Sequence, residues 1–166
     1  MRSSLALALL FISTMFGCAA ARLYPVKGPL STQAPPPVYS VKVSGAFFSG
    51  NFSAKLTDGE VCKGHWTTVS RGIAPNSPNA TNPKPAEPLK AEWDTVYGSG
   101  FFVANVLGSR LYGRGVAKGA KGTVLTMEMF KDESRPDLVA PGDVNTRAIK
   151  GVAKDDKGNI YKLVFN

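Results

Sequence analysis

One short pattern occurs three times in this chain of 166 residues, and it restricts the fold more than any other feature. The copies are Ala54-Lys55-Leu56-Thr57-Asp58-Gly59-Glu60-Val61, Ala117-Lys118-Gly119-Ala120-Lys121-Gly122-Thr123-Val124 and Ala153-Lys154-Asp155-Asp156-Lys157-Gly158-Asn159-Ile160. Each reads Ala-Lys, two variable residues, a charged residue, Gly, any residue, then Val or Ile. The second and third copies also share a preceding Gly-Val, at Gly115-Val116 and Gly151-Val152. Such a segment is a strand, a tight turn closed by a glycine in the left-handed region, and a β-branched residue starting the return strand. Recurrence of a turn argues for architecture and carries no chemistry.

The flanking segments agree. Apolar and polar residues alternate over 38–43, 52–56, 61–69, 101–107, 123–130, 147–154 and 160–165, the period-two pattern of half-buried strands. Outside the N-terminal apolar run, no window keeps helical spacing over three turns. The expected fold is all-β: an antiparallel meander of about seven to nine strands, barrel-like or strongly curved, because a small sheet must bury one face and protect its edges. Val43, Phe52, Leu56, Trp66, Phe101, Val103, Leu125, Met127, Ile149 and Phe165 are the expected core. Two loop insertions interrupt the strands, 70–90 with five prolines and 131–145 with Pro136, Pro141 and Gly142. Prolines cannot join a ladder, and long loops on a β scaffold are common sites of binding.

The chain opens differently. Arg2 precedes an apolar run over 5–16. About twelve residues at about 1.5 Å each reach about 18 Å, short of the roughly 30 Å hydrocarbon core. Residues 1–17 therefore read as a secretory signal helix. Pro25, Pro29 and Pro35-Pro36-Pro37 make 18–37 a Pro-rich tether, leaving 38–166 as a single β-domain. Gly17-Cys18 resembles the lipobox of bacterial lipoproteins, in which the cysteine becomes the lipidated first residue. Met15 and Phe16 depart from that pattern. With Ala19 next, the resemblance implies the outer membrane, facing the periplasm. Ordinary cleavage at Ala19-Ala20-Ala21 is the alternative, and would give a soluble periplasmic or secreted protein.

The formal net charge is +8 at pH 7, and removing residues 1–17 takes away only Arg2. A basic exported domain is attracted to anionic headgroups or acidic glycans. Its cations stand singly, with no run forming a nucleic-acid arm. Of the two cysteines, Cys18 is either lipidated or removed, which leaves Cys62 as a lone thiol expected to be buried. Cys62 and His65 fall short of the four ligands of structural zinc, and no cofactor or metal is expected.

No catalytic set emerges. Asp155-Asp156 and Asp132-Glu133 read as solvated turn residues, and Gly98-Ser99-Gly100 lacks the setting of a nucleophile elbow. The expected protein is not an enzyme. The candidate ligand-binding residues are His65, Trp66, Trp93, Tyr97, Arg110, Tyr112 and Arg114, since aromatic faces beside guanidinium groups suit sugars or headgroups. Export argues against nucleic acid as a partner. The leader with Cys18, the 58–64 turn and strand, and the 151–165 hairpin together resemble small lipoproteins of Gram-negative envelopes. That likeness implies an envelope location, a membrane partner through the lipid anchor and a β fold. It implies no activity, and it carries over no functional residue besides Cys18. The sequence thus points to an envelope lipoprotein acting as a non-catalytic structural or binding module. Its alternatives are a binder of an anionic envelope ligand and, more remotely, a hydrolase.

Overall fold

The computed structural model describes residues 18–46, 49–69, 87–109, 112–132, 134 and 146–166. The readings on the 1–17 leader, most of both loop insertions and Arg110 lie outside the described residues. The remainder is a closed, eight-stranded antiparallel barrel in simple meander order. Its strands are β1 (Cys18–Lys27), β2 (Tyr39–Ala46), β3 (Ser49–Lys55), β4 (Val61–Thr68), β5 (Tyr112–Lys118), β6 (Val124–Lys131), β7 (Ile149–Asp155) and β8 (Ile160–Phe165). Closure comes from β1 against β8, with Leu23 opposite Leu163 and Arg22 opposite Val164.

All three repeats are hairpins, and meander order brings them to the same end of the barrel. Gly59, Gly122 and Gly158 have φ of 80°, 94° and 84°. In each turn the glycine N–H donates three residues back, to Leu56, Gly119 and Asp155 respectively. The hairpins also interlock. The Glu60 carboxylate accepts from Lys121 N–H and Thr123 Oγ1, each at 2.7 Å. Asp156 exchanges two hydrogen bonds with Val124, through its side chain at 3.1 Å and its backbone N–H at 3.0 Å.

The barrel interior is filled, as a barrel of this size requires. Leu23, Val41, Phe52, Ala54, Cys62, Leu125, Met127, Tyr161, Leu163 and Phe165 point inward and are buried. Glycines make room for the largest rings: a Cβ on Gly115 would lie 2.7 Å from the Phe52 ring and 2.9 Å from Trp66. Of the expected core, Val43, Phe52, Leu56, Leu125, Met127 and Phe165 lie inside, with Trp66 and Ile149 partly buried against them. Outward positions carry Arg22, Ser40, Lys42, Lys55 and Lys63, all exposed. Tyr24, Val61, Val116 and Val164 are apolar residues exposed on the strands.

Three expectations need correction. Residues 18–27 form strand β1, paired on both sides, so the sequence reading of 18–37 as a tether fails over its first ten residues. Pro25 fits because the ladder shifts register between Pro25 and Lys27. Residues 101–107 are not a strand; Phe102–Val106 is a π-helical turn, and Val103 is 52% exposed. The chain leaves the 70–90 insertion as a helix, α1 (Lys90–Tyr97), which the all-β reading did not include. At eight residues it makes only about two turns, too few for a sustained helical spacing of apolar residues. Leu89, Trp93, Phe102 and Val106 form a second core outside the barrel against Tyr112, Phe130 and Val152.

Candidate functional site

Among the described residues, the aromatic and arginine side chains singled out from sequence do not form one surface. Trp66 lies on the inner side of β4, half-buried, its Nε1 donating to the Ser44 carbonyl at 3.0 Å. His65, next to it in sequence, faces outward and is exposed, with Nδ1 3.3 Å from Asn51 Oδ1. Trp93 is fully buried beneath α1. There it stacks on Tyr97 and Phe101 at 5.5 and 6.0 Å and meets Phe130 edge-on at 5.5 Å. Tyr97 donates to the Gly151 carbonyl at 3.3 Å, and burial pushes its phenol up to about 12.

Tyr112, Arg114 and Trp93 do meet, around a residue the sequence did not single out. Glu128 points out of the barrel on β6 and is wholly covered by α1 and its N-terminal approach. Its Oε1 accepts from Leu89 N–H at 2.9 Å and from Arg114 Nε at 2.8 Å, and its Oε2 accepts from Trp93 Nε1 at 2.8 Å. Arg114 also donates to Tyr112 Oη at 3.0 Å. Burial, then the nearby Glu128 carboxylate, holds the Tyr112 phenol above its ordinary range. A buried carboxylate with charged and neutral donors on both oxygens is satisfied, and it fastens the helix to the barrel. The alternation of β6 placed Glu128 outward; nothing local announced that a distant segment would cover it.

A second polar centre closes the repeat end. Asp155 is buried, contrary to its expected place as a solvated turn residue, while Asp156 is exposed as expected. Asp155 Oδ1 accepts from the N–H groups of Lys157 and Asn159 at 3.0 and 2.8 Å. Its Oδ2 accepts from Asn159 Nδ2 at 2.8 Å and Tyr161 Oη at 2.7 Å. Burial and this contact raise the Tyr161 phenol. Asn159 Oδ1 in turn accepts Leu30 N–H at 2.9 Å, drawing the β1–β2 connection over the barrel mouth. A cavity of about 420 Å³ remains there, with Tyr39, Leu56, Leu125 and Tyr161 among its lining residues and Asp58 and Lys157 also on its wall. The Asp155 carboxylate beside it is engaged by the protein's own donors, so it has no free lone pair directed at a substrate. Among the described residues no group of three or more His, Cys, Asp or Glu could hold a metal ion.

The third feature is Cys18 itself. It is exposed, it is a free thiol and it is the first residue of β1, opposite Ser44 of β2. Cys62 is buried inside the barrel, as expected, and burial raises its thiol pKa.

In comparisons with known proteins, no family model, no curated protein and no solved structure matches this chain.

Proposed function

We propose that the protein is an envelope lipoprotein, acylated at Cys18, whose barrel is a non-catalytic module held directly against the membrane. One observation carries this reading. The β1–β2 ladder runs through six register pairs, from Cys18 with Ser44 to Leu23 with Tyr39. Cleavage after Ala21 would remove four of those six pairs and, with Ala21–Phe165, one of the six that join β1 to β8. Cleavage before Cys18 keeps all of them and leaves an exposed thiol as the first residue. The barrel therefore favours the lipobox over the Ala19-Ala20-Ala21 alternative.

Two further points support a non-catalytic role. Among the described residues the buried acids, Glu60, Glu92, Glu128 and Asp155, each hold backbone or side-chain donors that stabilise the fold. The single histidine, His65, stands exposed with Asn51 as its neighbour. An anchored module of this kind works by where it sits and what its surface meets.

Intact-mass measurement of membrane-extracted protein tests the reading, with Cys18→Ala as control. The expected mass is that of a chain starting at Cys18 with diacylglyceryl and further acyl groups, absent from the control. An unmodified chain starting at Arg22 would end it.

A further inference from the structure

We propose that the outward face of β1–β4 is a docking surface for the anionic phospholipid headgroups of the leaflet that holds Cys18, so that the barrel lies along the membrane on its side. This deepens the anchored reading above and rests on it for the identity of the surface.

The face is built by register. Arg22 of β1 lies opposite Ser40 of β2, and Ser40 lies opposite Lys55 of β3. One row over, Lys42 of β2 sits between Ala20 and Ser53, and Ser53 lies opposite Lys63 of β4. Four exposed cations thus stand on four adjacent strands, separated by small side chains that leave their long stems proud of the sheet. No acidic residue occurs in β1, β2, β3 or β4. Among the described residues none of the four is in an ion pair, whereas Lys121, Lys150 and Lys154 elsewhere are each paired with a carboxylate.

The arrangement also works against stability. Lys63 lies directly opposite Lys118 of β5, and like charges at facing positions destabilise a sheet. A face that keeps such a pair while the acids lie elsewhere is suited to an external anion. Its position selects which one. Cys18, Ala20 and Arg22 alternate outward on the same strand, and four residues at about 3.3 Å place Arg22 about 13 Å from the anchored end. No tether intervenes, so the nearest polyanion is the headgroup layer of the anchoring leaflet. No tryptophan is available on this face for stacking on sugars, since Trp66 points inward and Trp93 is buried under α1.

The closed barrel is built wholly from residues 18–166, so the test uses that stretch with Cys18→Ser, which removes any acyl contribution. Co-sedimentation compares vesicles of phosphatidylcholine alone with vesicles also containing phosphatidylglycerol. Binding is expected only to the second, and it falls as salt is raised. At low ionic strength each lost cation weakens binding about fivefold, so Lys42→Gln with Lys63→Gln costs about twenty-fivefold. Lys63→Gln alone leaves the melting temperature unchanged or higher, because it relieves the pair with Lys118. Lys90→Gln removes the same charge from α1, on the covered side of the barrel, and leaves binding unchanged.

Absence of binding to phosphatidylglycerol vesicles overturns the proposal. So does equal weakening by Lys90→Gln, which would make net charge the cause. Retention on dextran sulfate without vesicle binding overturns it in favour of a glycan partner. The vesicle result concerns the surface alone and the mass measurement concerns the anchor alone, so either can fail without the other.

Discussion

Glu128 and Trp93 lie 35 positions apart in sequence and share a 2.8 Å hydrogen bond at a site that solvent does not reach. That bond, with those from Leu89 and Arg114, is the polar junction between α1 and the barrel wall. Replacing Glu128 with Gln takes a charge partner from Arg114 and one acceptor from the junction. It should destabilise the protein by about 3 kcal/mol, as for other buried pairs that lose one member. Trp93→Phe removes the donor to Glu128 Oε2 and leaves a cavity where the larger ring packed, and should cost about 2–4 kcal/mol. Urea unfolding followed by circular dichroism measures both; a Glu128→Gln variant as stable as the parent would show that α1 does not depend on this carboxylate.

Two glycine-to-alanine substitutions should separate conformational strain from collision. Gly158 has φ of 84°, and nothing lies within 4 Å of the place a methyl group would take. Ala there costs only the left-handed backbone penalty, about 1–2 kcal/mol. At Gly64 a Cβ would run into the Val116 carbonyl and come 2.6 Å from Ala117 Cα, displacing β5 from β4. Gly64→Ala should cost about 3 kcal/mol or more. The order of their melting temperatures checks the claim, and a Gly64→Ala protein more stable than Gly158→Ala would contradict it.

Stability should fall more steeply on the alkaline side than the acid side. In the folded protein the Tyr97 phenol is raised from 10.0 to about 12 by burial. The folded state therefore holds its proton more tightly than the unfolded chain does. That contribution is complete below pH 10 and is lost as the pH rises toward 12. Tyr112 and Tyr161 are raised as well and act in the same direction. Tyr97→Phe should flatten the decline between pH 10 and 12 in a series of thermal melts. On the acid side, hydrogen bonds from Ser134 and then Lys150 lower the Asp132 pKa below 3.8. Its contribution is present above pH 3.8 and lost only below it, so no steep change is expected between about pH 5 and pH 8 by this route.

Thiol reactivity should separate the two cysteines. Cys62 is buried, and its thiol is raised first by burial and then by Glu60, so the nucleophilic thiolate is scarce. In a Cys18→Ser protein, a water-soluble disulfide reagent should leave the native state unlabelled and react fully in denaturant. Rapid labelling without denaturant would mean that the inner face near Cys62 opens readily.

The hairpins were legible because their determinants are local. A glycine able to take positive φ, four residues after Ala-Lys and before a β-branched residue, specifies a turn wherever it occurs. The three copies at Gly59, Gly122 and Gly158 are built alike. Strand alternation likewise placed Leu125, Met127 and Phe52 in the core. Trp93, read as part of a surface cluster, is instead buried, because its surroundings come from far away. Trp93 is covered by packing against Phe130 and Glu128, and no spacing within 90–97 records which sheet face a two-turn helix will meet.

Residues 18–27 mark the same boundary from the other side. Pro25 and the small side chains make this segment resemble a linker, and only pairing with β2 and with β8 at the opposite end of the chain turns it into the closing strand. Local sequence decided that this protein is made of β-hairpins, what its turns are and which side chains alternate. Barrel closure, the burial of Glu128 and Asp155, and the gathering of Arg22, Lys42, Lys55 and Lys63 on one face of β1–β4 were decided by tertiary structure. Each depends on contacts between residues distant in sequence, whose free energy appears only once the chain has returned on itself.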